Sequence, residues 1–132
     1  MRRLVAAARV ARLATAGASA GARPHLVPIV FVVEGDQLVT GVDAKPKSGR
    51  RLQRFANAEA NPAVSVLVDQ YDDDWSRLWW VRLDGGAREE PSLPAPWLTL
   101  LAGKYPQYRD QPPRGPFLLI QITRWTGWAA SA

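Results

Sequence analysis

Five cations stand within ten residues: Lys45, Lys47, Arg50, Arg51 and Arg54, set around a Ser48-Gly49 step. These residue types at this spacing suit an anion. With Ser48 as the cap of a helix, the first turn offers unpaired N–H groups and a partial positive charge. Gly49 lets an anion come close to the backbone, and Lys and Arg add full charges and a bidentate fork. Together they describe a phosphate site. A solvated cationic helix face has the same composition, and spacing alone leaves both readings open. The Gly-x-x-x-x-Gly-Lys pattern of a P-loop is absent.

Other side-chain chemistry is scarce. The chain has no cysteine, which removes thiol nucleophiles, thiolate metal sites and disulfides. His25 is the single histidine, so a multi-histidine metal site is excluded and at most one imidazole serves acid–base work. It heads a strand, where a structural role is the commoner one. Asp72, Asp73 and Asp74 offer oxygen ligands, but the spacing of a calcium loop and its distal Glu are missing. No metal is expected. An enzyme with so few reactive side chains would leave the reaction to a bound cofactor.

The balance of 17 basic against 12 acidic residues, +5 overall, favours an anionic partner. Six Trp beside a basic patch would suit stacking on nucleic acid. The acidic run of Asp69 and Asp72 to Asp74 opposes that reading. The Trp residues also fall in strand and helix patterns, where core packing is the usual role. Nucleic acid is therefore not an expected partner. No run approaches 18 apolar residues, so no membrane span is expected either, and the cytoplasm is the expected compartment.

These groups must be held by a fold, and the chain reads as one domain over residues 1–132, without repeats. Residues 2–9 favour a short helix. Strands are expected over Val10–Thr15, His25–Val33, Gln37–Val42, Val64–Val68, Leu78–Leu83 and Phe117–Thr123. Pro28 cannot donate to a ladder, so its strand needs an edge, a bulge or a ligand there. Glu34-Gly35-Asp36 and Asp84-Gly85-Gly86 read as turns. A helix is expected from Ser48 to Asn61-Pro62, with Leu52, Phe55, Ala56 and Glu59 on one face, and another over Trp97–Tyr105. About six strands in neighbouring pairs, with two or three short helices, predict a mainly β (α+β) antiparallel barrel with helices at its ends.

Several stretches resemble the pyridoxamine 5′-phosphate oxidase-like family of split β-barrels, which bind flavin or deazaflavin. They are Ala8–Thr15, Arg23–Phe31, and Asp43-Ala44-Lys45-Pro46-Lys47 with Arg50-Arg51-Leu52. Asp69–Arg82, Lys104-Tyr105-Pro106-Gln107-Tyr108, Pro112–Pro116 and Thr123–Trp128 are similar to an actinobacterial subgroup of probable coenzyme F420-dependent enzymes. The resemblance implies an FMN-binding type of split barrel and a homodimer with cofactor sites at the subunit interface. It also implies an oxidoreductase in which reduced F420 passes a hydride to a small organic acceptor. Lys45, Lys47, Arg50 and Arg51 would hold the cofactor phosphate. Backbone at Pro28, Ile29, Val30 and Val42 would border the ring. Trp125 of the partner chain would cover the ring or touch substrate. An FMN-dependent oxidase or reductase on the same fold is the nearest alternative, and a non-catalytic cofactor or tetrapyrrole binder is another.

Overall fold

The computed structural model describes residues 1–42 and 51–131. Ser48, Lys45, Lys47 and Arg50 lie outside the described residues. A single antiparallel sheet of seven strands curls into a split barrel. The strands are β1 (Ala11–Thr15), β2 (His25–Ile29), β3 (Val32–Glu34), β4 (Gln37–Thr40), β5 (Ala63–Gln70), β6 (Trp79–Glu90) and β7 (Phe117–Ala129). Their order is β2-β1-β5-β6-β7-β4-β3, so β2 and β3 are the two edges. Among the described residues four helices accompany the sheet: α1 (Arg2–Ala7), α2 (Gln53–Ala60), α3 (Ala95–Lys104) and the single turn α4 (Gln107–Asp110). A 3-10 turn spans Trp75–Arg77.

The expected mainly β antiparallel barrel is the observed fold, with one more strand than the patterns give. His25–Val33 does not run as one strand. It breaks at Val30-Phe31, because the backbone there finds partners outside the ladder, as described below. Pro28 lies in edge strand β2, opposite Arg12 of β1, where its missing N–H costs no interior ladder bond.

Asp84-Gly85-Gly86 is not a turn. β6 continues through it, and the register against β7 shifts between Asp84 and Gly85. A Cβ on Gly85 would lie 2.2 Å from the Gln121 carbonyl oxygen, so the strands approach there only because the residue is glycine. Hence Asp-Gly-Gly lies opposite a bulge at Thr123 of β7 and does not form a hairpin. By contrast, Glu34-Gly35-Asp36 does form the β3–β4 hairpin turn, with Gly35 at a φ of 60°.

Two apolar clusters divide the interior. The barrel core collects Leu13, Phe31, Leu38, Val66, Leu83 and Ile120, with Val5 of α1 closing one end. Each such side chain, fully buried, contributes roughly 1.5–3 kcal/mol. The second cluster lies across the sheet, where α3 and α4 bring Leu101, Tyr105 and Tyr108 onto Val32, Val39, Phe117 and Leu119. Residues Phe117 to Ile120 are therefore all buried, since both faces of β7 are covered there. α3 starts two residues before Trp97, because a proline in the first helical turn loses no bond that the helix would make.

α2 begins at Gln53, with Leu52 as its cap residue. Phe55, Asn57 and Ala58 are its buried residues, so the buried face is rotated from the expected one. The polar Asn57 is inside because its amide donates to Thr15 Oγ1 at 3.0 Å and accepts from Gln53 at 2.7 Å. Glu59 points to solvent and pairs with Arg51.

Candidate functional site

The sheet edges meet at one corner of the chain, Val30-Phe31, which links β2 to β3. Its backbone groups are satisfied from three directions. Thr40 Oγ1, at the end of β4, donates to the Val30 carbonyl at 2.7 Å. The Phe31 N–H donates to the Tyr105 hydroxyl at 3.0 Å. That hydroxyl's single proton lies within reach of two carbonyls, Arg9 at 3.0 Å and Phe31 at 3.1 Å. Lys104 Nζ donates to the Phe31 carbonyl at 2.9 Å and sits 3.8 Å from the centre of the Phe31 ring. Side chains from the end of α3 thus close the split of the barrel where no ladder does.

Of the ring-bordering residues implied by the resemblance, Pro28, Ile29 and Val30 form one edge segment. Thr40 ties that segment to the end of β4, two residues before Val42. Pro28 is exposed, Ile29 turns its side chain into the core, and Val30 and Val42 are half-buried. Arg51 is occupied: its guanidinium donates to Glu59 of α2 and to Glu89 of β6. Glu89 first and Glu59 second push its pKa further up, so it remains charged at any working pH. Both carboxylates compete with any phosphate for this fork.

Trp125 is also engaged within its own chain. Its indole N–H donates to Asp36 Oδ1 at 3.0 Å, and the Arg2 guanidinium lies 4.3 Å from the ring centre. Asp36 accepts from Arg2 at 2.9 Å. The hydrogen bonds from Arg2 and then from Trp125 hold its carboxyl below the usual range.

The outer face of the sheet was not expected as a site. Three rows of side chains cross it. Pro28, Arg12, Leu67, Arg82 and Thr126 form the central row. Leu26, Ala14, Ser65, Asp84 and Arg124 flank it on one side, and Asp69, Trp80 and Trp128 on the other. Leu26 is 68% exposed and Trp128 50%. With Tyr71 and Trp79 they line an open cleft of about 790 Å³. Arg12 pairs with Asp69 at 3.1 Å, and Arg82 with Asp84 at 3.2 Å. Ser65 donates to Asp84 at 2.6 Å, the main reason its carboxyl titrates low.

Core packing holds for only half of the Trp residues: Trp79 and Trp125 pack half-buried against the barrel core and Trp97 against the second cluster, whereas Trp75, Trp80 and Trp128 do not, and no Trp is fully buried. Strict alternation in Trp80-Val81-Arg82-Leu83 held the missing signal, since buried Val81 and Leu83 force Trp80 and Arg82 outward. The acidic loop is a local turn. Asp74 accepts from the Ser76 N–H and hydroxyl, at 3.1 and 2.7 Å, and Asp72 accepts from the Asp74 N–H at 2.8 Å. Among the described residues no group of three His, Cys, Asp or Glu is placed to hold a metal. Among them also, no helix is long and apolar enough to cross a membrane.

A family model described as pyridoxamine 5′-phosphate oxidase matches residues 1–129. The chain belongs to this family. No curated protein matches it. Among solved structures, the family fold is shared with an FAD-binding protein from Mesorhizobium loti, at 25% identity and a TM-score of 0.69. That likeness covers 96% of this chain and 87% of the other. An FAD-binding protein from Mycobacterium smegmatis matches at 18% identity and a TM-score of 0.56, over 96% and 88% of the two chains. HutZ, the heme storage protein of Vibrio cholerae, matches at 15% identity and 0.69, over 97% and 90%. The last two likenesses concern the fold alone. Family membership and the flavin-binding neighbour accord with the oxidoreductase class of the expected function.

Proposed function

We propose that the chain is an oxidoreductase that works through a flavin-type cofactor, seated along Pro28 to Val30 and Val42. The preferred cofactor is the deazaflavin coenzyme F420, with FMN as the alternative. The observation that carries this reading is the edge segment Pro28 to Val30. β2 borders the sheet, so its outer side has no ladder partner, and Thr40, Tyr105 and Lys104 hold its Val30-Phe31 end rigid. A flat ring needs such an edge, fixed in place and not covered by another strand.

When bound, the cofactor supplies hydride transfer to or from a small organic acceptor. The chain's residues supply position and exclusion of water. Pro28 presents a strand position with no N–H to satisfy. Val30 and Val42 offer apolar contact on either side of the Thr40 tie. The basic segment Lys45, Lys47, Arg50 and Arg51 supplies charge for the phosphate, and suits the anionic tail of F420. FMN offers the same segment one phosphate, and the FAD-binding Mesorhizobium neighbour supports a flavin in general.

The reading includes a homodimer through the outer face of the sheet. Leu26, Leu67, Trp80 and Trp128 form a contiguous apolar patch on a face that antiparallel sheets usually keep polar. A second copy brings the same patch, as a two-fold interface requires. Trp125, already oriented by Asp36 and Arg2, is the proposed contact with the partner's ring or substrate.

Titration of the protein with F420, FMN and FAD, followed by ring fluorescence, tests the reading. F420 binding supports it. Tight FMN binding without F420 binding moves the choice to FMN. Binding of none overturns it. Oxidation of reduced F420 across a panel of quinones, enones and nitroaromatics then separates an enzyme from a carrier that binds without turnover.

A further inference from the structure

We infer that Tyr105 and Lys104 are positioning residues for the cofactor, acting through the Val30-Phe31 corner that their side chains close. The inference rests on the reading above, because the ring-bordering segment ends at this corner. Phe31 sits at the seam between the two sheet edges, where no strand takes its N–H or its carbonyl. Tyr105 takes the first at 3.0 Å, and Lys104 takes the second at 2.9 Å. Tyr105 also reaches the Arg9 carbonyl at 3.0 Å, so one hydroxyl joins the approach to β1, the corner and α3. Arg9 completes the group: its guanidinium donates to the Lys104 carbonyl at 2.8 Å and lies 4.9 Å from the Tyr105 ring centre. A shift of α3 therefore shifts the backbone along which the ring would lie.

The surroundings of Lys104 give this role a signature. Arg9 faces it from the segment before β1. Arg109 of α4 donates to the Ala102 carbonyl, two residues back along α3. Glu34, the ionisable residue of β3, is exposed at that strand's far end. Among the described residues no carboxylate pairs with Lys104. Burial first, and repulsion from Arg9 second, bring its ammonium down to about 8. A lysine swung out into water would titrate near the ordinary 10.5. The closed corner thus binds the proton more weakly than the open one. Raising the pH from about 8 towards 10.5 favours closure, and the neutral amine still donates to Phe31.

The test measures flavin affinity from pH 6.5 to 9.5 for the wild type, Lys104→Arg and Lys104→Met. Exchange of the Phe31 amide, scaled to the free-peptide rate, is followed on the same proteins and on Tyr105→Phe. Wild-type binding should tighten several-fold as the pH passes 8. Lys104→Arg, which stays charged, and Lys104→Met, which never titrates, should show flat profiles. Phe31 protection should rise over the same range in the wild type and be lost in Tyr105→Phe. Should Tyr105→Phe not fold, the two Lys104 variants still decide.

Superimposable affinity profiles for all three proteins would overturn the inference. So would Phe31 protection that is indifferent to pH. If no flavin or deazaflavin binds, the cofactor reading falls with its affinity arm. Phe31 exchange then still shows whether Lys104 and Tyr105 hold the corner.

Discussion

The Thr40 hydroxyl donates to the Val30 carbonyl at 2.7 Å, and so fastens the end of β4 to the corner between the sheet edges. Thr40 is itself 2% exposed. Thr40→Val keeps the shape and removes the donor, leaving a shielded carbonyl unpaired. The expected loss is about 1–3 kcal/mol of stability by urea denaturation. Weaker flavin binding should accompany it.

Arg51 is held by two carboxylates that a phosphate would have to displace. Arg51→Ala should weaken cofactor binding by roughly 1–3 kcal/mol, as loss of a charge-assisted hydrogen bond does, and Lys47→Ala should do the same. Glu89→Gln should act in the opposite sense, tightening binding by releasing the fork. Calorimetric titration of the three variants checks both directions. Unchanged affinity in Arg51→Ala and Lys47→Ala would put the phosphate elsewhere.

The apolar rows of the outer face predict the assembly. Leu67→Arg places a third cation between Arg12 and Arg82, its partners on the two neighbouring strands. It should convert a dimer to a monomer in sedimentation velocity, and flavin affinity should fall with it. Trp128→Glu should have the same effect beside Trp80. A wild-type monomer at tens of micromolar would reject the interface.

Asp36 carries the acid prediction. Its carboxyl titrates below its unfolded value of 3.8, because Arg2 and Trp125 both donate to it. Its stabilising effect is present above that value and is lost as the pH falls through the lower folded one. Asp36→Asn should flatten the acid limb of the melting temperature against pH and leave the profile above pH 5 parallel to the wild type.

Gly85→Ala should be costly. Its Cβ would meet a backbone oxygen, which cannot turn aside as a flexible side chain would. The expected loss is about 1–3 kcal/mol by denaturant unfolding. Gly86→Ala, with nothing within 4 Å, is the control.

Where one periodicity governed a segment, the chain could be read directly. Val64–Val68, the Glu34-Gly35-Asp36 turn and the helix ended by Pro106 all followed from local pattern. Reading failed where a tertiary partner replaced a local one. His25–Val33 has the composition of one strand, and only Tyr105, 74 residues later, explains why it breaks at Phe31. Asp84-Gly85-Gly86 has the composition of a turn, and only the close approach of β7, with its bulge at Thr123, explains why the strand runs on through it. For the site, the basic segment and Pro28 were readable from residue type. The closing pair Lys104-Tyr105 was not, since a lysine and a tyrosine ending a helix resemble any helix terminus.

The bulge opposite Asp84 and Gly85 also sets the phase of β7. Asp84 pairs with Arg124 and Gly85 with Ile122, so Thr123 stands between them with no partner in the register. β6 keeps a single alternation through this point, with Val81, Leu83 and Ala87 all inward. β7 does not: Leu118, Ile120 and Ile122 face the core before Thr123, and Trp125 packs against it afterwards. Because strand alternation counts in twos, the one extra residue lets both halves of β7 keep their apolar side inward. Deleting Thr123 would force one half out of step and turn Trp125 away from Asp36. The orientation of Trp125 is thus set by a count of residues along β7 as much as by the partners of its ring.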